Sequence, residues 1–81
     1  MRLTMSINLS QLKPGESGTI ETVGGEGALR RRLLDMGLTP GTCVSVRKVA
    51  PFGDPLELHL RGYELTLRGD DARSIKMRKE S

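Results

Sequence analysis

Alternating leucines in the C-terminal half of the chain limit its fold more than any other feature. Leucine occupies every second position of residues 56–60, and Leu65 and Leu67 alternate with polar residues in the segment 64–68. Such period-two alternation is typical of a strand with one buried and one solvent-facing side. Gly62 allows a tight connection between the two runs, so we predict an antiparallel pair of strands over one core.

Three further runs have the composition of strands. Residues 17–23 and 42–50 are rich in β-branched side chains, and Ile75 and Met77 alternate with basic residues near the C-terminus. Residues 51–55 include two prolines, which lack the backbone donor that a sheet ladder needs. This segment is therefore predicted to be a hairpin loop.

One segment, residues 26–36, is predicted to form a helix. At 100° per residue, Leu29, Leu33 and Met36 fall in one narrow stripe. Gly37 follows directly and suits the left-handed conformation in which many helices end. We therefore expect a helix that packs this stripe on the core and ends at Gly37.

Short turns are predicted at three other places. Ser10 is a candidate N-cap for one helical turn ahead of the first strand. The Pro40-Gly41 pair suits a type II turn, because proline fixes φ at the first central position and glycine accepts a positive φ at the second. Asp70 is a candidate cap for a single turn over residues 70–73.

Together these elements predict one all-β domain over residues 1–81, with a core of about residues 9–77. About five antiparallel strands with one short helix between the first two are the outline of a small barrel, either SH3-like or an OB-fold variant. The OB-fold usually places its helix between the third and fourth strands, so the order here favours the SH3-like barrel. A chain of 81 residues buries one core and leaves no room for a large catalytic architecture.

The basic residues suit recognition of anions, and the chain carries no targeting signal that we can identify. Its formal net charge is +3, and arginine is much commoner than lysine. No apolar run approaches the ~18 residues of a membrane span, and the N-terminus lacks the hydrophobic region of a secretory signal, so we expect a cytoplasmic protein. The single cysteine, Cys43, excludes an intramolecular disulfide and is interpreted as a small buried side chain.

The sequence offers few groups for catalysis or metal binding. His59 is the only histidine, and its strand pattern places it on the solvent side between Glu57 and Arg61. Glu57 and His59 supply two ligands, whereas a stable transition-metal site needs three or four, so only a site shared across a homo-oligomer would complete it. We therefore expect no enzyme activity, no catalytic residues, no metal site and no cofactor, while homo-oligomerisation stays open.

Leu34 is the candidate anchor for a partner protein. It lies well off the helical stripe and is expected to be exposed, with Arg30 and Arg31 beside it. The run of arginines at 30–32 also suits RNA phosphates, but the chain has few aromatic side chains on which bases could stack, so nucleic acid is not the expected partner.

Three ordered motifs, residues 32–41, 50–55 and 61–68, resemble the FeoA family of bacterial ferrous iron transport. The resemblance covers most of the chain and implies an SH3-like barrel with a non-enzymatic role that supports FeoB, the membrane ferrous iron transporter with a cytoplasmic GTPase domain. The resemblance also connects the chain with DtxR-type repressors, which carry a related domain at their C-terminus.

The resulting hypothesis is an accessory protein that binds FeoB and modulates iron uptake, reaching the membrane only through the transporter. The expected contact surface joins the helix residues Leu34, Arg30 and Arg31 with Phe52 and Asp54 of the hairpin loop. The alternatives are a small basic barrel that binds nucleic acid and a metal-responsive module related to the repressor domain.

Overall fold

A six-stranded antiparallel sheet with one helix forms the body of the protein. The computed structural model describes residues 4–51 and 54–80 of the 81-residue chain. Its elements are β1 (Thr4–Asn8), a 3-10 turn (Leu9–Gln11), β2 (Ser17–Val23), α1 (Gly27–Asp35), β3 (Cys43–Val49), β4 (Leu56–Leu60), β5 (Tyr63–Leu67), α2 (Gly69–Ala72) and β6 (Ile75–Glu80). The strand order is β1-β6-β2-β3-β4-β5. The expectation of a small antiparallel fold with one principal helix is confirmed.

The order of elements differs from the prediction at the N-terminus. Strand β1 pairs with β6 in the register Thr4↔Glu80 to Asn8↔Lys76, so α1 follows the second strand rather than the first. The expected helical turn is the 3-10 turn after β1, and its N-cap is Asn8 rather than Ser10. The Asn8 N–H donates to Gln11 Oε1 at 2.9 Å, which fixes the corner between β1 and the rest of the chain.

One apolar core lies between the sheet and α1. Alternate residues of β4 point into it, as does Leu33, the one fully buried residue of α1. Its buried side chains are Leu9, Leu12, Ile20, Val23, Leu33, Leu38, Val44, Val46, Leu56, Leu58, Leu60, Leu67, Ala72, Ile75 and Met77. Leu29, Met36 and Leu65, which the sequence also placed on the core, are half-buried and pack against this cluster. The predicted leucine faces are therefore confirmed.

The C-terminal end of α1 is a Schellman motif. Gly37 has φ +96°, and the N–H groups of Gly37 and Leu38 donate to the carbonyls of Leu34 (3.0 Å) and Leu33 (3.1 Å). Gly41 has φ +89°, and the Thr42 N–H donates to Thr39 O at 3.1 Å, as expected of a type II turn. These two turns reverse the chain between α1 and β3.

Strands β4 and β5 form a tight hairpin. Leu60 pairs with Tyr63, so the connection has two residues, Arg61 at φ +49° and Gly62 at φ +82°. Positive φ at both positions is the type I′ geometry, which matches the natural twist of antiparallel strands. The hairpin predicted from the leucine alternation is confirmed, with Arg61 as a non-glycine residue in the left-handed region.

An ion pair ties β6 to the loop before β2. Lys79 Nζ donates to Glu16 Oε2, and the Lys13 N–H donates to Glu16 Oε1 at 2.8 Å. The hydrogen bond from Lys79, followed by that from Lys13, holds the pKa of the Glu16 carboxyl below its usual range. A lowered folded-state pKa means that this pair stabilises the fold above the unfolded-state pKa of Glu16, and that the contribution is lost as the pH falls through the folded-state value.

Candidate interaction surface

Leu34 is half-buried instead of exposed. It packs against the core cluster, as Leu29 and Met36 do, although it lies off the narrow stripe on the helical wheel. An amphipathic helix on a curved sheet commonly buries an arc of more than ~100°, which is wider than the stripe that defined the core. Leu34 therefore leaves one edge exposed to solvent and supports the fold with the other.

The three consecutive arginines of α1 have different environments. Arg30 Nε donates to the Val23 carbonyl at 3.1 Å, and Arg32 Nη2 bonds to Asp71 Oδ2 at 3.0 Å. Arg31 is exposed and has no ion-pair partner among the described side chains. Of the two arginines predicted to contact a partner, Arg31 is thus available, while Arg30 also links α1 to β2.

Asp54 has a structural role that the sequence did not reveal. The Gly69 N–H at the start of α2 donates to Asp54 Oδ1 at 2.9 Å. Asp70, which the sequence predicted to cap this turn, instead accepts a hydrogen bond at Oδ1 from Arg73 Nη1 at 2.6 Å. The acceptor at the start of α2 is therefore Asp54. The other hairpin residue predicted to bind a partner, Phe52, lies outside the described residues.

Asp54→Ala is expected to lower the free energy of unfolding by about 1 kcal/mol, since an N-terminal N–H of α2 loses its acceptor. Asp70→Ala is the matched control, because it removes a carboxylate from the first turn of α2 but leaves the hydrogen bond from the Gly69 N–H to Asp54 in place. The control should cost less than about 0.5 kcal/mol, as expected of an exposed ion pair. Urea denaturation of both variants measures the difference, and equal losses would contradict the capping role.

Cys43 and His59 are placed differently from each other and from expectation. Cys43 is exposed, because Val44 and Val46 face the core and residues of the opposite parity face solvent. That parity was readable from the sequence, and the interpretation of Cys43 as buried was wrong. His59 is half-buried between its cross-strand neighbours Ser45 and Glu64. Among the described residues, no group of three or more His, Cys, Asp or Glu side chains has the arrangement of a metal site.

Two of the sequence motifs meet at the end of α1. The Tyr63 hydroxyl donates to the Met36 carbonyl, and Arg61 Nη2 donates to the hydroxyl oxygens of Thr39 and Thr42 at 3.0 Å each. A Cβ at Gly37 would overlap the Tyr63 hydroxyl. These hydrogen bonds hold the turn between β4 and β5 against the C-terminal end of α1. No local sequence pattern predicts a contact between segments so far apart in the chain.

A groove of about 440 Å³ opens between α1, the end of β5 and α2. It lies on the opposite flank of α1 from Leu34 and was not foreseen from the sequence. Its lining residues are Arg32, Met36, Thr66, Leu67, Arg68 and Asp71. Helical geometry gave one usable signal, because Arg32 and Met36 are four residues apart and so share one side of α1.

No helix within residues 4–51 and 54–80 is long and apolar enough to cross a bilayer.

A family model for the FeoA domain matches residues 7–79, nearly the full length of the chain. The chain belongs to the FeoA domain family. The FeoA family is an accessory transport protein family associated with ferrous iron transport.

A curated relative and two solved structures support this assignment. The chain is 35% identical over 71 residues to the Fe(2+) transport protein A/Fe(2+) transporter FeoB fusion protein of Porphyromonas gingivalis. This match covers 88% of the chain but only 8% of the fusion protein.

The FeoA-like protein of Clostridium acetobutylicum has 34% identity and a TM-score of 0.85, over 95% of this chain and 90% of that one. Stenotrophomonas maltophilia FeoA, described as a prokaryotic SH3 domain protein complexed with zinc, has 27% identity and a TM-score of 0.77, over 88% of each chain. The SH3-like fold is confirmed.

Proposed function

We propose that this FeoA domain binds the cytoplasmic part of FeoB and modulates ferrous iron uptake without catalysing a reaction itself. The observation that carries the proposal is the relative in which a transport protein A domain and the transporter FeoB form one polypeptide. Fusion holds two domains at a high effective concentration, which favours pairs that work in contact. The domain would then act in the cytoplasm and reach the membrane only through the transporter.

The solvent side of α1 is the surface that we assign to FeoB. Arg31 offers an exposed guanidinium that can pair with a carboxylate on the transporter. Leu34 offers an apolar edge beside it, and Arg30 adds charge while its Nε stays bound to Val23 O. Arginine is enriched among the residues that dominate protein interfaces, and the fully buried centre of an interface is more apolar than its rim, so Arg31 with Leu34 beside it suits such a centre.

Leu34→Glu is expected to weaken binding to the cytoplasmic part of FeoB by about five- to thirty-fold, or ~1 to 2 kcal/mol. The loss follows because a carboxylate would replace the apolar edge at the centre of the contact. Titration calorimetry with the transporter from the same organism measures the affinity, and circular dichroism checks that the variant is folded. Iron uptake in cells that carry the variant gives the functional readout.

Charge is tested separately with Arg31→Glu and its matched control, Lys48→Glu. Both replace an exposed cation by an anion, but Lys48 lies on β3 rather than on α1. Only Arg31→Glu should weaken the complex. If Leu34→Glu and Arg31→Glu both bind FeoB normally, the contact surface is elsewhere; if the unmodified chain does not bind FeoB at all, the proposed function itself fails.

A further inference from the structure

Strand β5 is an edge of the sheet with backbone groups free to pair. Within the described part of the chain it pairs only with β4, and the two-residue hairpin makes Leu60 and Tyr63 a hydrogen-bonded pair. Because hydrogen-bonded and non-hydrogen-bonded pairs alternate, Glu64 and Thr66 direct their N–H and C=O groups away from β4. Arg68 continues the extended backbone, with φ −71° and ψ 147°.

The groove beside this edge leaves space for another strand. It lies along Thr66, Leu67 and Arg68, and Met36 and Leu67 give it an apolar floor. Arg32 on its far wall is already held by Asp71 at 3.0 Å. Within residues 4–51 and 54–80, the features of the groove that have no partner are therefore the backbone of the edge, the apolar floor and the charge of Arg68.

We propose that two copies of this chain pair antiparallel along their β5 edges, with Thr66 of each copy opposite Thr66 of the other. Charge complementarity selects a second copy as the occupant. In this register Glu64 of one copy lies opposite Arg68 of the other, twice per dimer, and the half-buried Leu65 lies opposite Leu67 near the apolar floor. Glu64 Oε1 also lies 3.7 Å from Arg47 Nη2 of its own chain, in an exposed pair that leaves the carboxylate accessible to Arg68 of the other copy. Charged side chains normally keep edge strands apart, whereas here their order makes the edge complementary to itself.

The dimer should be weak and reversible. One added strand pair on a domain of this size buries less than the ~1,200 Å² of a standard stable interface. When the protein concentration is raised from about 10 μM to about 1 mM, we therefore expect the dimer to appear only towards the higher concentrations. Sedimentation velocity over that range is the first measurement. A chain that stays monomeric at all of these concentrations would overturn the proposal. It would be overturned even if the β5 edge then proved to bind a strand of another protein.

Charge exchange tests the register. Glu64→Arg and Arg68→Glu each place like charges opposite one another twice per dimer, so each should raise the dimer Kd about tenfold. The double variant Glu64→Arg/Arg68→Glu restores opposite charges and should return the Kd to within about threefold of the unmodified chain. Lys48→Glu, which makes the same charge change as Arg68→Glu away from the edge, should have little effect.

Amide hydrogen exchange gives a readout that needs no variant. Exchange at the Thr66 N–H should slow as the protein concentration rises, because that donor gains a partner only in the dimer. A dimer whose Kd the charge variants leave unchanged, or a double variant without recovery, would show that another surface forms it. Concentration-independent exchange at Thr66 would likewise contradict pairing at this edge.

Discussion

Leu33→Ala is expected to lower the free energy of unfolding by about 3 to 4 kcal/mol, which is a large share of the ~5 to 15 kcal/mol that holds a typical domain folded. Leu33 is 0% exposed and is the one fully buried residue of α1. The substitution removes three carbons from the core and leaves a cavity that the surrounding strands cannot fill completely. Urea denaturation, with the midpoint and slope both fitted, measures the loss.

Leu34→Ala is the matched control for this prediction. It makes the same chemical change at the next position of the same helix, so helix propensity cancels between the two variants. Leu34 is half-buried, and we expect a loss of about 1 to 2 kcal/mol. Equal losses at both positions would mean that Leu34 is a full member of the core and is poorly placed to anchor a partner.

Local patterns were enough to predict most of the elements. Alternation in β4 and β5, the stripe of α1 and the glycine at its end all depend on residues close in sequence, and each appears in the structure. Strand β1 was missed because its existence depends on pairing with β6, about seventy residues further along the chain. Secondary structure stabilised by a distant partner leaves little trace in its own segment.

The interaction surface was less predictable than the fold for the same reason. A helical wheel gives the direction of Leu34 but not the curvature of the sheet beneath it, which decides how far the side chain is covered. The hydrogen bond from Gly69 to Asp54 joins residues fifteen positions apart, and that from Tyr63 to Met36 joins residues twenty-seven apart. Hydrogen bonds between residues so far apart in the chain can be predicted only once the arrangement of the hairpins in three dimensions is known.

Gly37→Ala should cost about 2 to 3 kcal/mol through two separable effects. Gly37 has φ +96°, where an alanine is strained by about 1 to 2 kcal/mol. The new Cβ would also overlap the Tyr63 hydroxyl, so the ring must move and its hydrogen bond to the Met36 carbonyl is lost, for about 1 kcal/mol more. Thermal and urea denaturation should both show this loss.

The two effects at Gly37 can be separated because the chain supplies a control for each. Gly41 has φ +89° with nothing within 4 Å of an added Cβ, so Gly41→Ala should cost the backbone strain alone. Tyr63→Phe removes the obstructing hydroxyl, and in that background Gly37→Ala should also cost only the strain. A coupling of about 1 kcal/mol in this double-mutant cycle would measure how strongly the hairpin tip holds the end of α1. Additive losses would instead show that the Tyr63 ring moves aside freely, and that Gly37 is required for its φ angle alone.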